Sequence, residues 1–299
     1  MTQSIIRPSV RRGWLSSRKT IDRIQKVIVY ILLVIVALIV WVPFMWAIAA
    51  SFSPLEKVFV NAMPFTWKAL FPLDFTIQPY LDLFQKFGFG TALKNTLILS
   101  VGTVVLGGLS SAMAGFAFAR FNFRGKGLLF GITLFTFMVP VEVIIIPMYV
   151  MMSELGWMNT WAALLLPGLA NGLTIFLFRQ FFAELPQELI DAARVDGASW
   201  TRIFFQLVLP ISKPVLITGA LVLFLGAWNS FFWPLTVTSG QNMRVVQLAV
   251  AYTVGEHGVV IWNVRMAGSM LASIVPILVL IPFQKYYVKG IANTGLSGQ

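Results

Sequence analysis

Residues 27–50 read VIVYILLVIVALIVWVPFMWAIAA, an apolar run without one charged side chain. A helix rises 1.5 Å per residue, so about twenty such residues cross the roughly 30 Å of hydrocarbon in a bilayer. The run does not alternate polar with apolar residues as a barrel strand does, and in lipid such a stretch satisfies its own backbone only as a helix. It is longer than the apolar part of a signal peptide and no small-residue cleavage site follows it. It is therefore expected to stay in the chain as an anchor.

Five further runs share this character. They cover 95–119, 127–153 (with Glu142 as its one charge), 155–179 (uncharged up to Arg179), 214–243 and 266–284. The expectation is an all-α integral membrane protein of six transmembrane helices. Composition agrees: 58% of the 299 residues are hydrophobic and 11% charged, against about 25% charged in soluble domains. Glycines in the second run, VGTVVLGGLSSAMAG at 101–115, are expected to let neighbouring helices approach closely.

The net charge of +11 would suggest nucleic acid in a soluble protein, but its distribution says otherwise. Sixteen of the 22 basic residues fall before the first run, after the second, around the loop after the fourth, and in the tail. The other six, Lys57, Lys68, Lys86, Lys94, Arg244 and Arg265, fall in the alternate loops. Basic residues are retained in the cytoplasm, so both termini are expected there and no nucleic-acid partner is expected. The chain then divides into a basic cytoplasmic segment 1–26, a first span and long extracytoplasmic loop 27–90, the remaining spans 91–288, and a cytoplasmic tail 289–299. In the first outer loop PYLDLFQKFGFG, 79–90, reads as an amphipathic interfacial helix.

The chain has no cysteine and one histidine, His257. Disulfides, thiolate chemistry and a multi-His metal site are excluded, and a membrane enzyme lacks its usual groups. No G-x-x-x-x-G-K-[ST] phosphate cradle is present; FRGKGLL at 123–129 lacks the upstream glycine and the hydroxyl. Within the spans Glu142 is the one central ionisable residue, which leaves open an ion- or proton-coupled carrier working through it.

Between the fourth and fifth runs lies ELPQELIDAARVDGASWTRIFFQLVLP, 184–210, polar and helix-prone. Pro186 suits a first helical position and Glu188 a first turn. Leu189, Ile190 and Ala193 share an apolar face, Gly197 provides a stop, and Ser199 caps a second helix running to Pro210. Ala192 and Ala193 are small enough to seat the backbone deep in another protein's groove, with Asp191 and Arg194 to orient it. The alternative is a loop helix packed on its own bundle.

The pattern Asp191-Ala192-Ala193, three residues, Gly197, nine residues, Leu207-Val208-Leu209-Pro210 resembles the EAA loop of binding-protein-dependent ABC importer permeases. Asp191 stands for the family's Glu, one methylene shorter, and Leu207 for its Ile. FRQFFAELPQELIDAARVDGAS at 178–199, TALKNTLILS at 91–100, MVPVEVIIIPMYVMMSELGWMNT at 138–160 and AWNSFFWPL at 227–235 look like the sugar-importing branch. The nearest likeness is to the maltose-type second permease subunit, over roughly 61–289. The resemblance implies a type I ABC importer permease fold in a bacterial inner membrane. It makes 184–210 a coupling loop, with Glu188, Asp191, Ala192, Ala193, Arg194, Asp196, Gly197, Leu209 and Pro210 as its residues.

The implied partners are a homologous permease, a dimer of cytoplasmic ATPases and an extracytoplasmic solute-binding protein. This chain would hold no cofactor, with ATP and Mg bound by the ATPase. Glu142, Asn171, Thr174, Trp228, Asn229 and Ser230 are the candidates for a sugar path, since amides suit hydroxyls and flat rings suit C–H faces; the same groups also suit helix packing. The outer loop 238–263, with Glu256 and His257, is a candidate contact for the binding protein, and the tail 287–299 for the ATPase pair.

Overall fold

A computed structural model describes residues 12–72, 74–255 and 258–296; Glu256 and His257 lie outside the described residues. Every regular element among the described residues is a helix. The first, α1, runs Arg12–Ser51, and the short α2, Gln78–Gln85, lies in the loop after it. The second long helix, α3, runs Phe89–Arg120 and the last, α13, begins at Trp262 and continues to Leu296. Thus α1, α3 and α13 are each long and apolar enough to cross a membrane.

The other three expected spans are not single straight helices. Lys126–Met138 (α4) and Val141–Glu154 (α5) meet at 102°, so 127–153 is not one straight helix. The break falls at Val139, with φ −81° and ψ 119°, because the ring of Pro140 disfavours helical backbone in the residue before it. Trp161–Leu169 (α6) and Gly172–Glu184 (α7) meet at 40°. After α8, Gln187–Val195, come α9, Trp200–Ile211, and α10, Lys213–Trp228, at 86°. The expected run 214–243 ends its regular helix at Trp228 and resumes as α11, Phe232–Val237, then α12, Val246–Ala251. The described residues hold three candidate crossings, or six if each bent pair counts as one.

The helix α3 connects two ends of the molecule. At one end Phe89 packs with Leu83, Val246, Ala249 and Val264. At the other Phe116 packs with Phe178, Phe182, Ile190, Ile203 and Phe204. With 27 residues between them, the two clusters lie about 40 Å apart. The expected close approach at glycine is real: a Cβ on Gly115 would lie 2.7 Å from Phe178 Cβ and 2.9 Å from the Arg179 amide nitrogen. Gly115→Ala should therefore force α3 and α7 apart, an overpacking cost of about 1–3 kcal/mol. A melting temperature several degrees lower in detergent would show it; Gly127→Ala, with nothing within 4 Å, should not lower it.

In contrast, α1 is exposed on nearly all sides from Arg23 to Val40. Hydrocarbon or another protein must cover that surface.

Candidate functional site

The segment between α7 and α9 is built from local rules. Leu185 is extended, as a residue before proline must be. Pro186 stands one position earlier than expected, as the cap before Gln187 rather than the first helical residue. Glu188 sits in the first turn, where a carboxylate complements the helix dipole. At the far end the Gly197 amide donates to the Arg194 carbonyl at 3.0 Å and the Ala198 amide to the Ala193 carbonyl at 2.9 Å. Those two bonds form a Schellman turn, and Gly197 supplies the φ of +79° it needs. The Ser199 hydroxyl then accepts from the Arg202 amide at 3.3 Å and starts α9.

Ile190 alone in α8 is fully buried; it enters the phenylalanine cluster with Ala193 at its edge. Leu189, expected on the same face, points outward and is 44% exposed. With Ala192 and with Val195, 86% exposed, it forms a strip at i, i+3, i+6 that the chain leaves open. Glu188, Asp191, Arg194 and Asp196 are exposed beside it. Thus α8 has one apolar side in its own bundle and a second toward solvent, with Gly197 at the tip and nothing within 4 Å of its missing Cβ. At the end of the loop Leu209 packs at the cluster edge and Pro210 is exposed.

What holds α8 in place is Arg120, the last residue of α3. Its guanidinium donates to the Leu185 carbonyl and, at 2.8 Å, to Gln187 Oε1. Gln187 Nε2 in turn donates to Asp191 Oδ1 at 2.9 Å. At the other end of α8 the Arg194 guanidinium lies 5.0 Å from the centre of the Trp200 ring, which packs edge-on against Phe116 and Phe121. The sequence marks Arg120 only as a cytoplasmic charge; 65 residues separate it from Leu185.

The residues expected to line a solute path are not brought together. Glu142 is exposed in the first turn of α5, at the 102° break, rather than mid-helix. Asn171 caps α7, its Oδ1 accepting from the Thr174 amide and hydroxyl at 2.9 and 2.8 Å, and Thr174 is completely buried. Trp228 is buried and its indole donates to the Ala272 carbonyl at 2.9 Å. Ser230 is half-buried just past the end of α10.

Of the six, Asn229 alone lines a cavity of about 420 Å³ between α1, the end of α10, α12 and α13. Its other polar walls are Gln247, Ser269 and Ser273, and Phe44, Pro276 and Ile277 complete one flank. The outer loop 238–263 folds back to build this region. Asn95 donates to the carbonyls of Asn242 and Arg244 at 2.7 and 2.9 Å, and the Thr96 hydroxyl accepts from the Val246 amide at 2.8 Å.

Residues 105–292 match the family of binding-protein-dependent transport system inner membrane components. The arabinooligosaccharides transport system permease protein AraQ of Halalkalibacterium halodurans is 33% identical over 265 residues, 88% of this chain and 93% of that protein. The sn-glycerol-3-phosphate transport system permease protein UgpE of Pectobacterium atrosepticum is 35% identical over 207 residues, 69% and 74% of the two chains. A chain from the crystal structure of a bacterial ABC transporter for the acidic polysaccharide alginate superposes with a TM-score of 0.75 at 24% identity, over 89% of this chain and 97% of that one. That likeness establishes a shared fold.

Proposed function

Because this chain belongs to the family of binding-protein-dependent transport system inner membrane components, an ABC transporter permease family, we propose how its geometry serves import. The chain forms, with a homologous permease, the path for a sugar, oligosaccharide or related solute. A dimer of cytoplasmic ATPases, which binds ATP and Mg, grips α8. An extracytoplasmic binding protein delivers the solute. Both termini lie in the cytoplasm, on the side of α8.

One observation carries this reading. The helix α8 keeps an open apolar strip, Leu189–Ala192–Val195, beside exposed charges while its opposite side is locked into the bundle by Ile190. A loop that only joined two spans would gain nothing from exposing apolar side chains on a capped, braced helix; a helix seated in a partner's groove uses both sides. The cluster under Ile190 joins α3, α7, α9 and α10, so a displacement of α8 moves four helices together.

The supporting measurement is co-purification with an ATPase, followed by uptake in proteoliposomes containing the binding protein. Uptake should require ATP inside the compartment where α8 lies and be indifferent to an uncoupler. Uptake that survives ATP depletion and collapses with an uncoupler would transfer the case to a secondary carrier working through Glu142.

A further inference from the structure

We infer that the cavity between α1, α10, α12 and α13 receives an uncharged, hydroxyl-rich part of the cargo and rejects an anionic one. The inference rests on the importer reading and adds a cargo class to it. The cavity, about 420 Å³, is of ligand size. It carries four polar side chains on walls otherwise made by Phe44, Val250, Ala272, Pro276 and Ile277, and among the described residues no Asp, Glu, Lys, Arg or His lines it. A charged group held there would find no charged partner on its walls.

The hydrogen-bond inventory sharpens the class. The Ser269 hydroxyl donates to the Arg265 carbonyl at 2.9 Å, and Ser273 to the Ser269 carbonyl at 2.8 Å. Each hydroxyl proton is thus committed, and what faces a ligand is oxygen lone pairs. Gln247 Nε2 lies 3.5 Å from the Trp228 carbonyl and 3.4 Å from Asn229 Oδ1, contacts too long to hold its protons firmly. Its Oε1 has no partner among the described residues. Asn229 Nδ2 gives one proton to the Leu225 carbonyl at 3.0 Å and keeps the other for the cavity. The walls therefore offer neutral acceptors beside weakly held amide protons. A sugar or polyol hydroxyl both accepts and donates and suits such walls; a carboxylate or phosphate ester brings only acceptors and a charge that no lining residue pairs. Ser269 and Ser273, one turn apart on α13, present two such acceptors in a row.

The native chain has no cysteine, so Ser273→Cys can be read alone on this subunit in the assembled transporter with its binding protein. A charged, membrane-impermeant methanethiosulfonate is expected to label it. Saturating arabinotriose or maltotriose should slow labelling about tenfold, while sn-glycerol-3-phosphate and an alginate trisaccharide leave it unchanged. Ser269→Cys repeats the measurement if Ser273→Cys does not assemble. Labelling by a lipid-soluble maleimide alone would make the cavity a lipid-facing groove and overturn the inference. Protection by either anionic probe, or by no neutral sugar, would overturn it as well. ATP-dependent uptake by the unsubstituted complex tests the importer reading separately and does not depend on what lines this cavity.

Discussion

Gly197→Val is expected to abolish ATP-driven uptake in the assembled transporter while the subunit still inserts and folds. Gly197 holds φ at +79°, where a β-branched side chain is strained by about 1–3 kcal/mol. A strain of about 2 kcal/mol depopulates the Schellman turn roughly thirtyfold. That turn sets where α8 stops and where α9 begins. Among the described residues no atom lies within 4 Å of an added Cβ, so steric conflict with them does not contribute. Gly197→Asn, a residue that tolerates left-handed backbone, should keep most of the activity if turn geometry is what matters. If both variants lose uptake equally, the partner's groove requires the bare backbone at the tip. If Gly197→Val transports normally, α8 is not the coupling element.

The second large effect is expected at Arg120. Arg120→Ala removes the donors to the Leu185 carbonyl and to Gln187, each a charge-assisted bond of about 1–2 kcal/mol where partly screened by solvent. The start of α8 would then be held to α3 by Ile190 packing alone. ATP hydrolysis by the assembled complex should continue while solute accumulation per ATP falls severalfold, because the grip on α8 no longer reaches α3. Arg120→Lys keeps the charge but cannot fork to two acceptors, so it should restore part of the coupling. Asp191→Lys places a cation beside the same guanidinium and breaks the Gln187 bond; it should resemble Arg120→Ala. Coupling stoichiometry in proteoliposomes, the ratio of solute moved to phosphate released, reads all three. An unchanged ratio in Arg120→Ala would show that the brace is dispensable.

The helix and turns of the loop 184–210 are largely legible in the sequence because their signals are local. Gly197, Ser199 and the charges of α8 act within one or two turns, and the resemblance to the EAA loop rests on the same short spacing. Leu189 was misplaced for a related reason. Periodicity says which residues share a face, and a short helix with apolar residues on two sides does not say which of them meets the bundle. Arg120 was missed because its partners come from 65 and 67 residues away. The candidates for a solute path are polar groups inside apolar runs. Asn171 and Thr174 in fact satisfy each other at a helix start, while Gln247, Ser269 and Ser273 carried no distinguishing local signal.

The amino-acid sequence by itself determined that this chain is a helical membrane protein with a capped, charged loop helix between its fourth and fifth apolar runs. Those conclusions follow from transfer free energies and backbone preferences, which act on each stretch alone. Only the tertiary structure decided that two of the expected spans bend and a third is interrupted, that α8 is braced from the end of α3, and that Asn229 meets Gln247, Ser269 and Ser273 around one cavity. Proline announces a break but not the direction the chain takes after it. Which distant side chains converge depends on how close the helices pack; for Arg120 and Leu185 that is set where Gly115 lets α3 and α7 touch.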